Sequence, residues 1–146
     1  MKKKIDNSQI FEFIIEELNT KDVSLTVKGH SMWPFLKSNK TKITLTKSHS
    51  YKKLDIVLFK YNNKYILHRI IKIKNNNYII QGDGLISKEV VSKESIYAKV
   101  SSYTLKNKTT YTTNKLYLFK VRLWRLLRPI RRVLLKFRRM HNEWIN

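Results

Sequence analysis

Ser31 lies in the segment Val27-Lys28-Gly29-His30-Ser31-Met32-Trp33-Pro34-Phe35-Leu36, between a glycine that permits a turn and a proline that stiffens the exit. His68 follows in Leu67-His68-Arg69, after a hydrophobic run. A serine hydroxyl is a weak nucleophile at neutral pH and needs an adjacent base. Neutral imidazole, with an ordinary pKa of about 6.5, is well poised to take that proton. A carboxylate on the other ring nitrogen would fix the tautomer and stabilise the imidazolium, and backbone N–H groups near Ser31 would supply part of an oxyanion hole. This chemistry requires serine and base to approach within about 2.6 to 3.2 Å. His30 adjoins Ser31 and is expected at the surface rather than as the base.

The elements that must carry these residues read as strands. Ser24–Val27 and Lys42–Thr46 alternate, and Asp55–Phe59 is a short apolar run whose Asp55 starts the strand and holds a turn. Lys64–Ile73 and Tyr78–Gln81 predict a hairpin around Asn75-Asn76-Asn77, and Ile96–Tyr103 predicts a later strand. Only three glycines occur: Gly29 ahead of Ser31, and Gly82 and Gly84 flanking Asp83. Backbone freedom is therefore concentrated where a site needs tight turns, although Gly-Asp-Gly is also the ordinary composition of a β turn.

The amino-terminal segment, residues 1–20, predicts a helix from Ile10, Phe11, Phe13, Ile14, Ile15 and Leu18, with Asp6 and Gln9 as a capping pair. Its basic start imitates a secretory signal, but Glu12, Glu16 and Glu17 interrupt the apolar run. At 146 residues and 42% hydrophobic composition the chain suits one modest core. Without cysteine, disulfides, thiolate catalysis and cysteine-ligated metals are excluded. His30, His49, His68 and His141 are scattered and no His-Glu-x-x-His spacing occurs, so neither a metal nor a cofactor is expected.

Taken in order, several segments resemble signal peptidases. Gly29-His30-Ser31-Met32-Trp33-Pro34 matches their Gly-x-Ser-Met-x-Pro signature, and Leu54-Asp55-Ile56-Val57 is similar to their Gly-Asp-Ile-Val segment. His68-Arg69-Ile70 resembles the base-bearing strand and Gly82-Asp83-Gly84 the Gly-Asp-Asn box. The common bacterial enzymes and the related self-cleaving repressors use a lysine base, whereas the archaeal and endoplasmic reticulum type carries histidine at the position of His68. The resemblance implies a mostly β peptidase domain over residues 21–105. In it Ser31 would attack the scissile carbonyl, His68 would accept its proton and an acid would support the imidazole. Asp83 takes the first acidic position of the family box and Glu89 the second, with Asp83 the favoured orienting acid. Met32 and Trp33 are expected to line the substrate cleft or simply to pack. The implied substrate is a precursor peptide bound extended, cut to release a leader or signal segment. A non-catalytic peptide-binding or membrane-associated module on the same scaffold is the alternative.

The formal charge of +21 is uneven: Lys115 to Arg139 holds ten Lys or Arg and no acid. Leu116, Phe119, Leu123, Leu126, Leu127, Ile130, Leu134 and Phe137 recur at spacings near three and four. This predicts a basic amphipathic helix over 115–140, kinked at Pro129. Arg122, Trp124, Arg125, Arg128, Arg131 and Arg132 are its expected contacts with an anionic membrane surface. A helix packed on the β domain is the plainer alternative. Nucleic acid is a lesser one, since no helix-turn-helix or aromatic RNA-binding motif accompanies the charge. The family's amino-terminal membrane anchor has no counterpart here, because no apolar run of about 18 residues occurs. The expected location is cytoplasmic, peripheral at the inner face of the membrane.

Overall fold

The structure is a computed structural model. It describes residues 7–145, except for the side chains of Arg128, Pro129, Arg131, Trp144 and Ile145. The expected cap at Asp6, with the rest of residues 1–6, lies outside the described residues. The fold is mostly β, as expected, with an eight-stranded antiparallel sheet, a short helix before it and two helices after it.

Helix α1 (Asn7–Glu17) leads into β1 (Val23–Thr26) and β2 (Lys42–Thr46). Then come β3 (Ile56–Tyr61), β4 (Lys64–Lys74), β5 (Asn77–Gln81), β6 (Glu89–Ser92), β7 (Ile96–Leu105) and β8 (Lys108–Tyr111). The strands lie in the order β1-β2-β7-β3-β4-β5-β6, with β8 also paired to β7. Three hairpins close on two residues in the left-handed region: Asn62-Asn63 (φ 50° and 61°), Asn75-Asn76 (49° and 61°) and Lys106-Asn107 (51° and 63°). Such turns match the twist of antiparallel strands, and asparagine tolerates their backbone better than most side chains. Strands β6 and β8 were not expected. Neither Glu89-Val90-Val91-Ser92 nor Lys108-Thr109-Thr110-Tyr111 alternates apolar with polar, and each forms by pairing with a longer neighbour.

The sheet buries both faces. On one, Ile14 and Leu18 pack with Ile43, Leu45, Ile56, Leu58 and Val100. Phe11 and Ile15 join them at helical spacing, while Phe13 falls on the opposite side of α1 and is exposed. The second face gathers Val57, Phe59, Ile70, Ile80, Val91 and Ile96. Each such side chain contributes about 1.5 to 3 kcal/mol when removed from water.

The basic segment forms two helices, α2 (Lys115–Leu126) and α3 (Arg128–Ile145). Asn114 caps α2, its side chain accepting from the Tyr117 N–H at 3.0 Å. The break falls at Leu127 (φ −77°, ψ 32°), two residues before Pro129. Proline lacks the N–H a continuing helix requires but suits the first turn of a new one. Nor is the segment a detached tail. Tyr117 and Val121 are buried with Leu54 in a third apolar cluster, so α2 belongs to the same body as the sheet.

Candidate active site

Ser31 sits in a compact turn just after β1. Gly29, at φ 90°, starts it, and the Gly29 N–H donates to Ser38 Oγ at 2.9 Å. The N–H groups of Trp33 and Leu36 close it on the carbonyls of His30 and Met32. Met32 is buried in the core and carries the turn's apolar anchor, leaving Ser31 half-exposed.

The other glycines press against this turn. The Gly84 N–H donates to the Ser31 carbonyl at 2.8 Å. A Cβ at Gly82 would lie 2.6 Å from the Ser31 carbonyl oxygen and 3.1 Å from His68 Nε2. A Cβ at Gly84 would lie 2.9 Å from the His30 carbonyl oxygen. Two bare backbones are thus what allow the β5–β6 loop to reach the serine turn. The Ser31 carbonyl oxygen and His68 Nε2 therefore both lie against the side of Gly82 where a side chain would stand.

His68 and Arg69 are neighbours on β4 and point to opposite faces, as successive strand residues do. His68 is buried against Phe59, with ring centroids 6.0 Å apart, and its Nδ1 lies 3.2 Å from Glu89 Oε2 on β6. A carboxylate accepts hydrogen bonds, so this contact selects the neutral tautomer with the proton on Nδ1 and the lone pair on Nε2, the nitrogen beside Gly82. Asp83 does not fill the orienting role expected of it. Its two oxygens accept from Arg69 Nε and Nη2, each at 2.8 Å. A buried guanidinium demands a partner, and the side-by-side geometry of Asp83 satisfies it. Glu89, one methylene longer and one strand further out, is the acid left to meet the imidazole.

Arg69 extends that network. Its Nη1 donates to the Leu54 carbonyl at 2.9 Å and to the Tyr117 hydroxyl at 2.8 Å. Burial alone would lower its pKa, but Asp83 and Tyr117 hold it above the ordinary arginine value. Burial pushes the Tyr117 phenol up to about 12, with Arg69 opposing. Trp124 Nε1 donates to the Asp83 carbonyl at 2.8 Å, and the Trp124 ring meets Trp33 edge-on. Asp55 holds the expected turn by accepting from the Lys52 N–H at 2.9 Å.

Two depressions meet at Ser31. One, of about 430 Å³, is an apolar trough whose walls include Ile10, Phe11, Leu25, Met32, Tyr65 and Leu67. The other, of about 790 Å³, is lined by His30, Trp33, the Gly84–Ser87 loop and α3. Met32 and Trp33 therefore line opposite depressions, Met32 with most of its surface in the core.

The expected lipid contacts divide. Arg122 is exposed and Arg125 half-buried, both beside Leu126. Trp124 is turned inward by its bond to Asp83, and Arg132 lines the second depression rather than an outer face. The side chains of Arg128 and Arg131 lie outside the described residues. An apolar stripe on α2 does face outward: Leu116, Phe119, Leu123 and Leu126 are all exposed, between Lys115, Lys120 and Arg122.

Tyr117 and Arg138 take part in the site without having been singled out from sequence, and Trp124, expected at a lipid surface, joins it instead. Tyr117 and Trp124 fall within a helical periodicity that reads equally well as packing, and nothing local marks Arg138 among its basic neighbours. No group of three metal-ligating side chains occurs among the described residues. No described helix is long and apolar enough to cross a membrane. The chain matches no protein-family model and no curated protein sequence.

Proposed function

We propose that this protein is a serine endopeptidase that cleaves a precursor peptide. Ser31 Oγ attacks the scissile carbonyl and passes its proton to His68 Nε2, which returns it to the departing amine. Glu89 holds the imidazole by Nδ1 and stabilises the cation formed in the transition state. Arg69 and Asp83 position the loop that supports the Ser31 turn. The apolar trough receives an extended stretch of substrate, as strand-edge recognition permits.

The observation carrying this reading is the orientation of His68: one nitrogen is committed to Glu89 and the other is aimed at the backbone that packs on Ser31. Incubation of the wild type, Ser31→Ala and His68→Ala with a candidate precursor, with products mapped by mass spectrometry, tests it. Cleavage at one site by the wild type alone is expected. Cutting by Ser31→Ala at the wild-type rate would end the reading.

The protein is further proposed to work at an anionic membrane surface. The exposed stripe of α2, flanked by Lys115, Lys120 and Arg122, supports this because apolar side chains enter the interface while lysine and arginine reach the headgroups.

A further inference from the structure

The depression between α3 and the serine turn is cationic, and the apolar stripe described above does not account for its charge. Arg132, Lys136, Arg138 and Arg139 line it, and no carboxylate is among its lining residues. Arg132, Lys136 and Arg139 recur at four and three along α3, and Arg138 flanks them on the side of the helix that lines the depression with Ser31. Ile130, Leu134 and Phe137 occupy the other side and are exposed.

Arg138 is the most constrained of the four. Its guanidinium lies over the Trp33 ring at 4.2 Å, and its Nη2 is 3.1 Å from His30 Nδ1, which accepts. Its Nη1 is buried and has no hydrogen-bond partner among the described residues. The guanidinium as a whole is only part-buried, and an incoming carboxylate supplies the countercharge that it and its three cationic neighbours lack within the depression. Nucleic acid fits less well: Arg138 covers the Trp33 face that a base would need for stacking.

We infer that this cleft receives an acidic stretch of a peptide whose apolar stretch occupies the trough on the other side of Ser31. The inference rests on the endopeptidase reading for its view of the bound chain as a substrate. Ser31 stands where an apolar wall gives way to a basic one, so the site selects a junction between apolar and acidic sequence as the place to cut.

Fluorescence anisotropy with full-length Ser31→Ala tests binding apart from cleavage. The probes are labelled synthetic peptides with one apolar half and a flank of Asp/Glu, or of Asn/Gln at the same positions, made in both flank orders. In one order the acidic peptide is expected to bind more tightly than its amide twin by about tenfold per carboxylate engaged. That advantage should shrink as salt rises. Arg138→Ala should remove much of it, and the exposed pair Lys136→Glu and Arg139→Glu should reverse the preference without touching the core. Equal binding of acidic and amide peptides in both orders overturns the inference. So does a preference unchanged by the charge reversal, or an oligonucleotide of matched charge that binds more tightly than every acidic peptide. Charge-selective binding with no cutting by the wild type would leave the cleft assignment standing and defeat the endopeptidase reading. Cutting without charge selectivity would do the opposite.

Discussion

Glu89→Gln and Asp83→Asn separate the two carboxylates around β4 by what each breaks. Glu89 Oε2 lies 3.2 Å from His68 Nδ1. At an effective dielectric constant of about 20, opposite unit charges at that distance attract by about 5 kcal/mol. In the proposed mechanism the imidazolium that feels this attraction forms as the serine proton moves, so the interaction would belong to the transition state rather than to bound substrate. Glutamine preserves shape but removes the charge, and its amide can present a donor to Nδ1 and so hold the wrong tautomer. The expected loss in kcat/KM is roughly 10²- to 10⁴-fold, or about 3 to 5 kcal/mol, with little change in folding stability. Asp83→Asn instead leaves the buried Arg69 without its countercharge and should destabilise the fold by about 3 to 5 kcal/mol. Urea unfolding followed by fluorescence, beside peptide hydrolysis at a temperature where both variants remain folded, distinguishes them. A folded Asp83→Asn protein of wild-type stability that has lost its activity, together with an active Glu89→Gln, would refute this division and return the orienting role to Asp83.

Gly82→Ala should cost both activity and stability, the latter by about 1 to 3 kcal/mol, because its methyl group meets the Ser31 carbonyl oxygen at 2.6 Å; an active, equally stable variant would contradict the packing of that loop. The Tyr117 phenol, raised by burial to about 12 from 10.0, lends stability that is complete below about pH 10 and lost as pH climbs through 12. Urea midpoints should fall over that window, and more shallowly in Tyr117→Phe, which at neutral pH is itself less stable because Arg69 Nη1 loses an acceptor. The full-length protein should float with anionic vesicles in preference to neutral ones, less so at high salt, and Phe119→Asp with Leu123→Asp should abolish flotation while leaving the unfolding midpoint nearly unchanged.

Much of the sheet was legible because β2, β3, β4, β5 and β7 are long or apolar enough to show a period, and because Asn75-Asn76 marks its own turn. Strands β6 and β8 owe their conformation to partners far away in sequence and carry no period of their own. In the candidate site, Ser31 and His68 announced themselves by their neighbours. The acid did not. Gly-Asp-Gly drew attention to Asp83, but whether a carboxylate meets an imidazole or a guanidinium depends on which face of β4 it approaches. That was settled by the placement of β6 and by the buried Arg69. Periodicity located the helices and their apolar stripe, yet could not tell an outward Leu123 from an inward Trp124. The difference lies in one hydrogen bond to the Asp83 carbonyl.

The contacts of α2 with Arg69 and Asp83 bear on the order in which the protein is made. Strand β4 and the loop after β5 leave the ribosome well before Tyr117 and Trp124. In that interval Arg69 already has Asp83 but lacks its phenolic acceptor, and the Asp83 carbonyl lacks its indole donor. The turn bearing Ser31 is buttressed by a loop that gains a further hydrogen bond when α2 docks. A chain still being synthesised therefore carries Ser31, His68 and Glu89 before Tyr117 and Trp124 have closed over the Arg69–Asp83 pair beside them.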